Sequence, residues 1–117
     1  MPHRKTVWAG CALALAATLP WGGAALAGLG SEQMGQVEMG RELAQAHCSG
    51  CHAVEEQDSS PLPKAPAFRD LHHRYPVAHL AESLAEGIAV GHPAMPEFVL
   101  EPGEVEAFIR YLESLEE

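Results

Sequence analysis

Cys48-Ser49-Gly50-Cys51-His52 contains two cysteines three residues apart, and a histidine follows the second one directly. On a turn of helix, residues three apart lie on one face. Both thiols can therefore reach the two vinyl groups on one edge of a porphyrin, and the histidine projects toward the central iron. Iron accepts imidazole as a proximal ligand. The spacing predicts one haem c, bound covalently by Cys48 and Cys51, with His52 as an axial iron ligand.

Three other kinds of site use two cysteines at this spacing. A redox dithiol of this type lies in a βαβ unit, and no such unit follows. A zinc site needs a second ligand pair; no cysteine follows Cys51, so two of the scattered histidines would have to supply it. A structural disulfide between Cys48 and Cys51 leaves His52 without a role. Of these interpretations, the haem site uses all three residues.

The N-terminal segment has the composition of a secretory signal. Arg4 and Lys5 precede an uncharged run over residues 6–30, in which Ala25-Leu26-Ala27 places small residues at its first and third positions. This order predicts a signal peptide over residues 1–27, cleaved after Ala27, and export to the periplasm. The alternative is an uncleaved anchor on the periplasmic face of the inner membrane, because the run is long enough to span a bilayer.

The remaining domain, residues 28–117, is strongly acidic. Five Lys and Arg residues against sixteen Asp and Glu residues give a net charge of −11 with neutral histidines. Nucleic acid is therefore a poor partner, because binding to phosphates requires a basic surface. An acidic surface suits docking to a basic patch on a redox-partner protein, chiefly by raising the encounter rate. The same charge also favours solubility.

Apolar residues at helical spacing predict a helix that leads into the motif. We expect it to begin near Ser31, a candidate N-cap, and to contain Met34 and Met39 as packed residues. Gly40 lies inside it, where glycine costs about 1 kcal/mol relative to alanine. We therefore expect another helix to approach closely at Gly40. His47 is predicted to lie on the helix surface.

The rest of the chain predicts further short helices joined by loops. Residues 53–66 and 89–99 are rich in proline, glycine and polar residues and predict loops. A short helical turn is expected over residues 68–74, and a helix from Pro76 to a stop at Gly87. The last helix is expected to begin at Glu101 and Pro102. The predicted fold class is all-α, with three or four short helices and long loops wrapped around one covalently bound haem.

A second iron ligand is expected from the loop Gly91-His92-Pro93-Ala94-Met95-Pro96. A thioether is a soft ligand, and Met/His ligation raises the reduction potential of haem iron. Pro96 biases Met95 away from helical backbone. Met95 is therefore the predicted axial ligand opposite His52. Rival ligands, which would give bis-histidine iron with a lower potential, are His92, His72, His73 and His79.

These features resemble the class I cytochromes c of bacterial periplasm. Gly40 matches the family glycine at which the N- and C-terminal helices cross, and Tyr111-Leu112 resembles the signature of the C-terminal helix. Met95-Pro96 is similar to the axial methionine loop. The resemblance implies that the Pro66 carbonyl accepts a hydrogen bond from the axial histidine, and that Arg74 lies near a haem propionate. Ala44 replaces the usual aromatic residue, and we expect Phe108 to fill that space.

The resemblance also implies a function. With both axial positions taken by protein ligands, the predicted activity is one-electron transfer rather than enzymatic catalysis. The protein would act as a soluble periplasmic carrier or as the haem subunit of a periplasmic dehydrogenase. Its partners would be redox proteins, such as a dehydrogenase or a terminal oxidase or reductase. The alternative is a sensor or ligand-binding protein with an open or bis-histidine haem.

Overall fold

The computed structural model describes residues 24–87 and 94–116. It contains helix α1 (Ala24–His47), two 3₁₀ helices (Phe68–His73 and Val77–His79), helix α2 (Leu80–Glu86) and helix α3 (Pro102–Ser114). The described ranges contain no β-strand. The predicted all-α fold is therefore confirmed.

Helices α1 and α3 contact each other at Gly40. A Cβ atom added to Gly40 would lie 2.7 Å from Cβ of Tyr111 and would overlap the carbonyl group of Ala107. Ala107 itself is fully buried. Only a glycine allows this crossing, because any side chain would meet backbone that cannot move away easily. The predicted close approach of a second helix is confirmed.

Helix α1 begins earlier than expected. Its described part starts at Ala24, so the helix is already continuous at Ser31 and the prediction of an N-cap there is wrong. The Ser31 hydroxyl instead donates to the carbonyl of Gly28 at 2.8 Å, a local bond that a serine within a helix commonly makes. The predicted cleavage after Ala27 stays a prediction.

The two methionines of α1 do not pack in the core. Met34 is 69% exposed and Met39 is 38% exposed, so the prediction that they are packed is wrong. The face of α1 that meets the core carries Gly40 and Ala44, which are both buried. At 3.6 residues per turn, Met34 and Met39 lie on other faces of the helix.

Helix α3 supplies much of the buried core. It starts at Pro102, and the Glu101 backbone N–H donates to the Glu104 carboxylate at 2.9 Å, as in a capping box. The predicted start at Glu101 and Pro102 is confirmed. The buried core residues of this segment are Val105, Ala107, Phe108, Tyr111, Leu112 and Leu115.

Helix α2 holds the segment that contains Met95. Pro76 precedes the 3₁₀ helix Val77–His79, so the predicted helix begins with a tighter turn and becomes α-helical at Leu80. Gly87 ends α2 with a φ of 105°, which confirms the predicted stop. The backbone N–H of Leu100 donates to the carbonyl of Leu84 at 2.9 Å. Residues 94–99, the described part of the predicted loop, therefore return to α2 without forming a helix.

The loop after His52 is held by specific hydrogen bonds. The backbone N–H of Ala53 donates to the Ser60 hydroxyl at 2.9 Å, and that of Val54 donates to the Asp58 carboxylate at 2.9 Å. The hydroxyl of Tyr111 donates to the Val54 carbonyl at 2.6 Å. Side chains thus accept hydrogen bonds from the backbone N–H groups of a segment that has no helix or strand. The Tyr111 hydroxyl also ties α3 to the residues that directly follow the motif.

Replacing Tyr111 with phenylalanine should lower the free energy of unfolding by about 1–3 kcal/mol, because the buried Val54 carbonyl loses its donor. Burial, and then the Glu55 carboxylate, raise the pKa of Tyr111 to about 12. The fold thus favours the protonated hydroxyl, whose contribution is complete below pH 10 and is lost as the pH rises through about 12. Urea unfolding should show a constant gap between wild type and Tyr111→Phe at neutral pH that shrinks above pH 10. Equal stability at pH 7 would contradict this role.

Candidate cofactor site

Two adjoining cavities of about 240 and 540 Å³ open beside the motif. Cys48, His52 and Met95 line both, and Cys51 lines the larger one. We call the two cavities together the cleft. The larger cavity, at about 540 Å³, falls within the range of about 300–1,000 Å³ that is typical of ligand sites. The further apolar lining of the smaller cavity is Leu43, Pro66, Phe68, Leu71, Leu80, Leu84, Phe98, Leu100, Phe108 and Leu112.

Helical hydrogen bonds continue from α1 into the motif. The backbone N–H of Cys48 donates to the Ala44 carbonyl, and that of His52 donates to the Cys48 carbonyl, both at 2.9 Å. Cys48 and Cys51 form no disulfide with each other. Burial raises the pKa of the Cys48 thiol to about 11, which favours its protonated form. This helical continuation is the local geometry that the spacing predicts.

The ring of His52 is fixed from two sides. Its Nδ1 lies 2.8 Å from the carbonyl oxygen of Pro66. A carbonyl only accepts, so Nδ1 carries the proton, and Nε2 keeps the lone pair that a metal requires. The ring of Phe68 lies against it at 5.2 Å between centroids. The structure thus places the Pro66 carbonyl against His52, and this hydrogen bond selects the His52 tautomer that suits iron binding.

Aromatic residues surround the histidine. Phe108 meets Phe68 edge-on at 5.8 Å between ring centroids, and both rings line the smaller cavity. Phe108 and Ala44 belong to the same buried cluster. Phe108 was expected from the sequence, whereas Phe68 was not. Its position two residues after Pro66 was the available signal.

The cleft has two cationic lining residues. Arg74, a residue predicted from the resemblance, lines the smaller cavity, and Lys64, which was not predicted, lines the larger one. Both side chains belong to exposed residues. No Asp or Glu is among the described residues that line either cavity. The guanidinium group of Arg74 therefore suits the carboxylates of haem propionates, whereas Lys64 lines the same cavity as Cys51.

The rival histidines lie elsewhere or outside the described residues. His72 and His73 line a separate polar cavity of about 380 Å³ together with Arg69 and Asp70. His79 does not line the cleft, and His92 lies outside the described ranges.

His47 differs from its prediction in one respect. It is exposed on the helix surface, as expected. However, it also lines both cavities, and its ring lies 5.5 Å from that of Phe98. This place at the mouth of the cleft was not predicted from the sequence, because the approach of Phe98 is a tertiary contact.

The zinc alternative finds no support in the described part of the chain. Within residues 24–87 and 94–116, no three His, Cys, Asp or Glu side chains converge in a way that could hold a metal ion. A structural zinc site requires four ligands. Cys48, Cys51 and His52 instead meet an apolar cleft, which fits a flat hydrophobic cofactor.

The protein-family model described as Cytochrome c matches residues 37–116, which is more than half of the chain. The chain therefore belongs to the cytochrome c family. Its cofactor is haem c, an iron porphyrin bound covalently, and Cys48 and Cys51 are positioned as in the C-x-x-C-H motif. Searches of curated proteins and of solved structures gave no match.

Family membership defines the general activity. The protein is a haem-based electron-transfer protein, and members of this family are typically exported. In the part of the chain that the structure describes, no helix has both the length and the apolar character needed to cross a membrane.

Proposed function

We propose that this protein is a periplasmic one-electron carrier in which Cys48 and Cys51 hold the haem and His52 and Met95 are its axial ligands. It acts as a soluble carrier or as the haem subunit of a periplasmic dehydrogenase. One observation carries the proposal: these four side chains, drawn from opposite ends of the domain sequence, line a single apolar cleft.

The bound haem supplies a reversible one-electron change at iron. The protein's own residues fix the ligands around it. The Pro66 carbonyl orients the His52 ring and increases its basicity by accepting the Nδ1 proton in a hydrogen bond of 2.8 Å. The Leu100–Leu84 backbone hydrogen bond and Pro96 hold the segment that carries Met95. Ligands held in this way need not rearrange between oxidation states.

Arg74 supports the opposite edge of the cofactor in this proposal. Cys51 lines only the larger cavity and Arg74 only the smaller one, so the two lie in different parts of the cleft. With the vinyl edge at the cysteines, the propionate edge would face the part that contains Arg74. A guanidinium group there can pair with a carboxylate through two parallel hydrogen bonds.

The location and partners follow from the N-terminal segment and the charge. We propose that residues 1–27 direct export and are removed, so that residues 28–117 work in the periplasm. The anchored form remains the alternative if the segment is retained. Electron donors and acceptors are other redox proteins, met through transient complexes rather than through a bound substrate.

Replacing Met95 with alanine should leave the haem attached and lower the reduction potential. Axial ligands set haem potentials over about 0.8 V, and the loss of a thioether should lower the potential by on the order of 0.1 V. The open position should then bind carbon monoxide. A spectroelectrochemical titration of both proteins measures ligation and potential together.

Met39→Ala is the matched control, because Met39 is an exposed methionine outside the cleft. It should keep the wild-type potential. If Met95→Ala keeps that potential and excludes carbon monoxide, Met95 is not a ligand. If the wild type binds carbon monoxide readily, the sensor with an open haem site is the better description.

A further inference from the structure

Arg69 joins two stretches of chain, residues 53–58 and 66–69, that hold His52 from different sides. Its Nη1 donates to the backbone carbonyls of Glu55 at 3.1 Å and of Asp58 at 3.0 Å. The same nitrogen lies 3.4 Å from Oδ1 of the Asp58 carboxylate. The Arg69 side chain is only 32% exposed, so this bridge is partly shielded from water.

The first stretch, residues 53–58, is organised by the Asp58 carboxylate. Its Oδ2 accepts the backbone N–H of Val54 at 2.9 Å, and its Oδ1 accepts that of Glu55 at 3.1 Å. Val54 is buried and lies two residues after His52. Because Arg69 pairs with this carboxylate, it keeps the acceptor in place for both N–H groups. Arg69 therefore restrains the chain directly behind His52.

The second stretch, residues 66–69, contacts the His52 ring itself. The Pro66 carbonyl lies 2.8 Å from Nδ1 of His52, and the Phe68 ring lies 5.2 Å from the His52 ring. The backbone N–H of Phe68 donates to the carbonyl of Ala53 at 2.9 Å. Arg69 adds a side-chain bridge to this backbone bond. The distance between the Pro66 carbonyl and Nδ1 thus depends on how firmly the two stretches are joined.

We propose that Arg69 is a positioning residue for the iron ligand His52. It lines neither cavity of the cleft, so it acts through the Pro66 carbonyl rather than by contact with the cofactor. This deepens the proposed function and rests on it, because His52 has to bind iron. A carbonyl held at hydrogen-bond distance increases the basicity of the imidazole, which favours the oxidised iron.

Arg69→Gln should speed exchange of the His52 Nδ1 proton with solvent by about tenfold or more, because the loss of hydrogen bonds from a charged group lets this region open more often. NMR of the reduced holoprotein follows that proton, since low-spin ferrous haem is diamagnetic. The reduction potential should rise, because a less basic imidazole stabilises ferric iron less. Loss of the positive charge alone would lower the potential, since a nearby cation disfavours the oxidised state.

Arg110→Gln is the matched control. It removes the same charge, but Arg110 pairs with Glu106 on α3 at 3.0 Å and lines neither cavity. It should keep the wild-type exchange rate and potential. Asp58→Asn tests the other half of the bridge. It should also speed the exchange, although it changes the net charge in the opposite direction.

Wild-type exchange in Arg69→Gln would overturn the positioning role, and so would a lower potential in that variant. If Arg69→Gln does not fold, wild-type exchange in Asp58→Asn overturns the role instead. These results leave the electron-carrier function intact as long as the spectra retain an imidazole ligand on iron. A haem without imidazole ligation in the wild type would remove the proposed function, and this role with it.

Discussion

Gly40→Val should destabilise the domain by about 3 kcal/mol or more, a large part of the total stability of about 5–15 kcal/mol that is usual for such domains. Its side chain would overlap the Ala107 carbonyl and lie within 3 Å of the Tyr111 Cβ. Helices α1 and α3 would have to separate, which exposes buried residues of α3 to water. Urea unfolding of the haem-loaded variant measures the effect.

Gly35→Val is the appropriate control on the same helix. A Cβ atom at Gly35 would meet nothing within 4 Å, so the added side chain has space. Valine also has a higher helix propensity than glycine, and the control should be as stable as wild type or slightly more stable. If both variants show the same stability, the crossing at Gly40 is not the constraint that we describe.

The second large effect concerns attachment of the cofactor. A Cys48→Ala/Cys51→Ala double variant should contain no covalent haem and should lose its haem-dependent stain in a denaturing gel. Each single variant keeps one thiol and should retain a single, weaker attachment. The double variant should also be markedly less stable, because a domain of this size buries only about 60–68% of its unfolded surface.

Ser49→Ala tests whether the loss of covalent haem is specific to removal of the thiols. Ser49 lies between the two cysteines, and its hydroxyl donates to the Gln45 carbonyl at 2.6 Å. Removing that hydroxyl alters the same turn but takes away no thiol, so attachment should be complete. Haem that resists denaturation in the double cysteine variant would contradict the assignment of Cys48 and Cys51.

Features governed by local rules could be predicted from the sequence. Gly87 stops α2 because its positive φ suits glycine, and Pro102 starts α3 because proline is tolerated in the first turn. Gly40 was predictable because a glycine inside a helix needs a tertiary reason. The cysteine spacing likewise follows from one helical turn.

Features that depend on distant contacts could not be predicted. The exposure of Met34 depends on which face of α1 meets α3. The start of α1 was missed because the helix extends well before Gly40, the residue at which it meets α3.

His47 reaches the cleft because residues 94–100 return to α2 and bring Phe98 against it, and nothing in the local sequence encodes that return. Lys64 lies in a segment whose Leu62 N–H donates to the Cys51 carbonyl at 3.1 Å, which is also a contact between distant residues. Phe68 differs from these residues, because its position two residues after Pro66, the predicted partner of His52, was a signal in the sequence.

The central claim is that two sulfur atoms and an imidazole within one helical turn hold a haem, with Met95 closing the other side of the cleft. The most direct test is the intact mass of the chain after export in cells that carry out haem maturation. We expect the mass of residues 28–117 plus one haem, unchanged after denaturation and reduction. A chain at its bare polypeptide mass under those conditions would contradict the account.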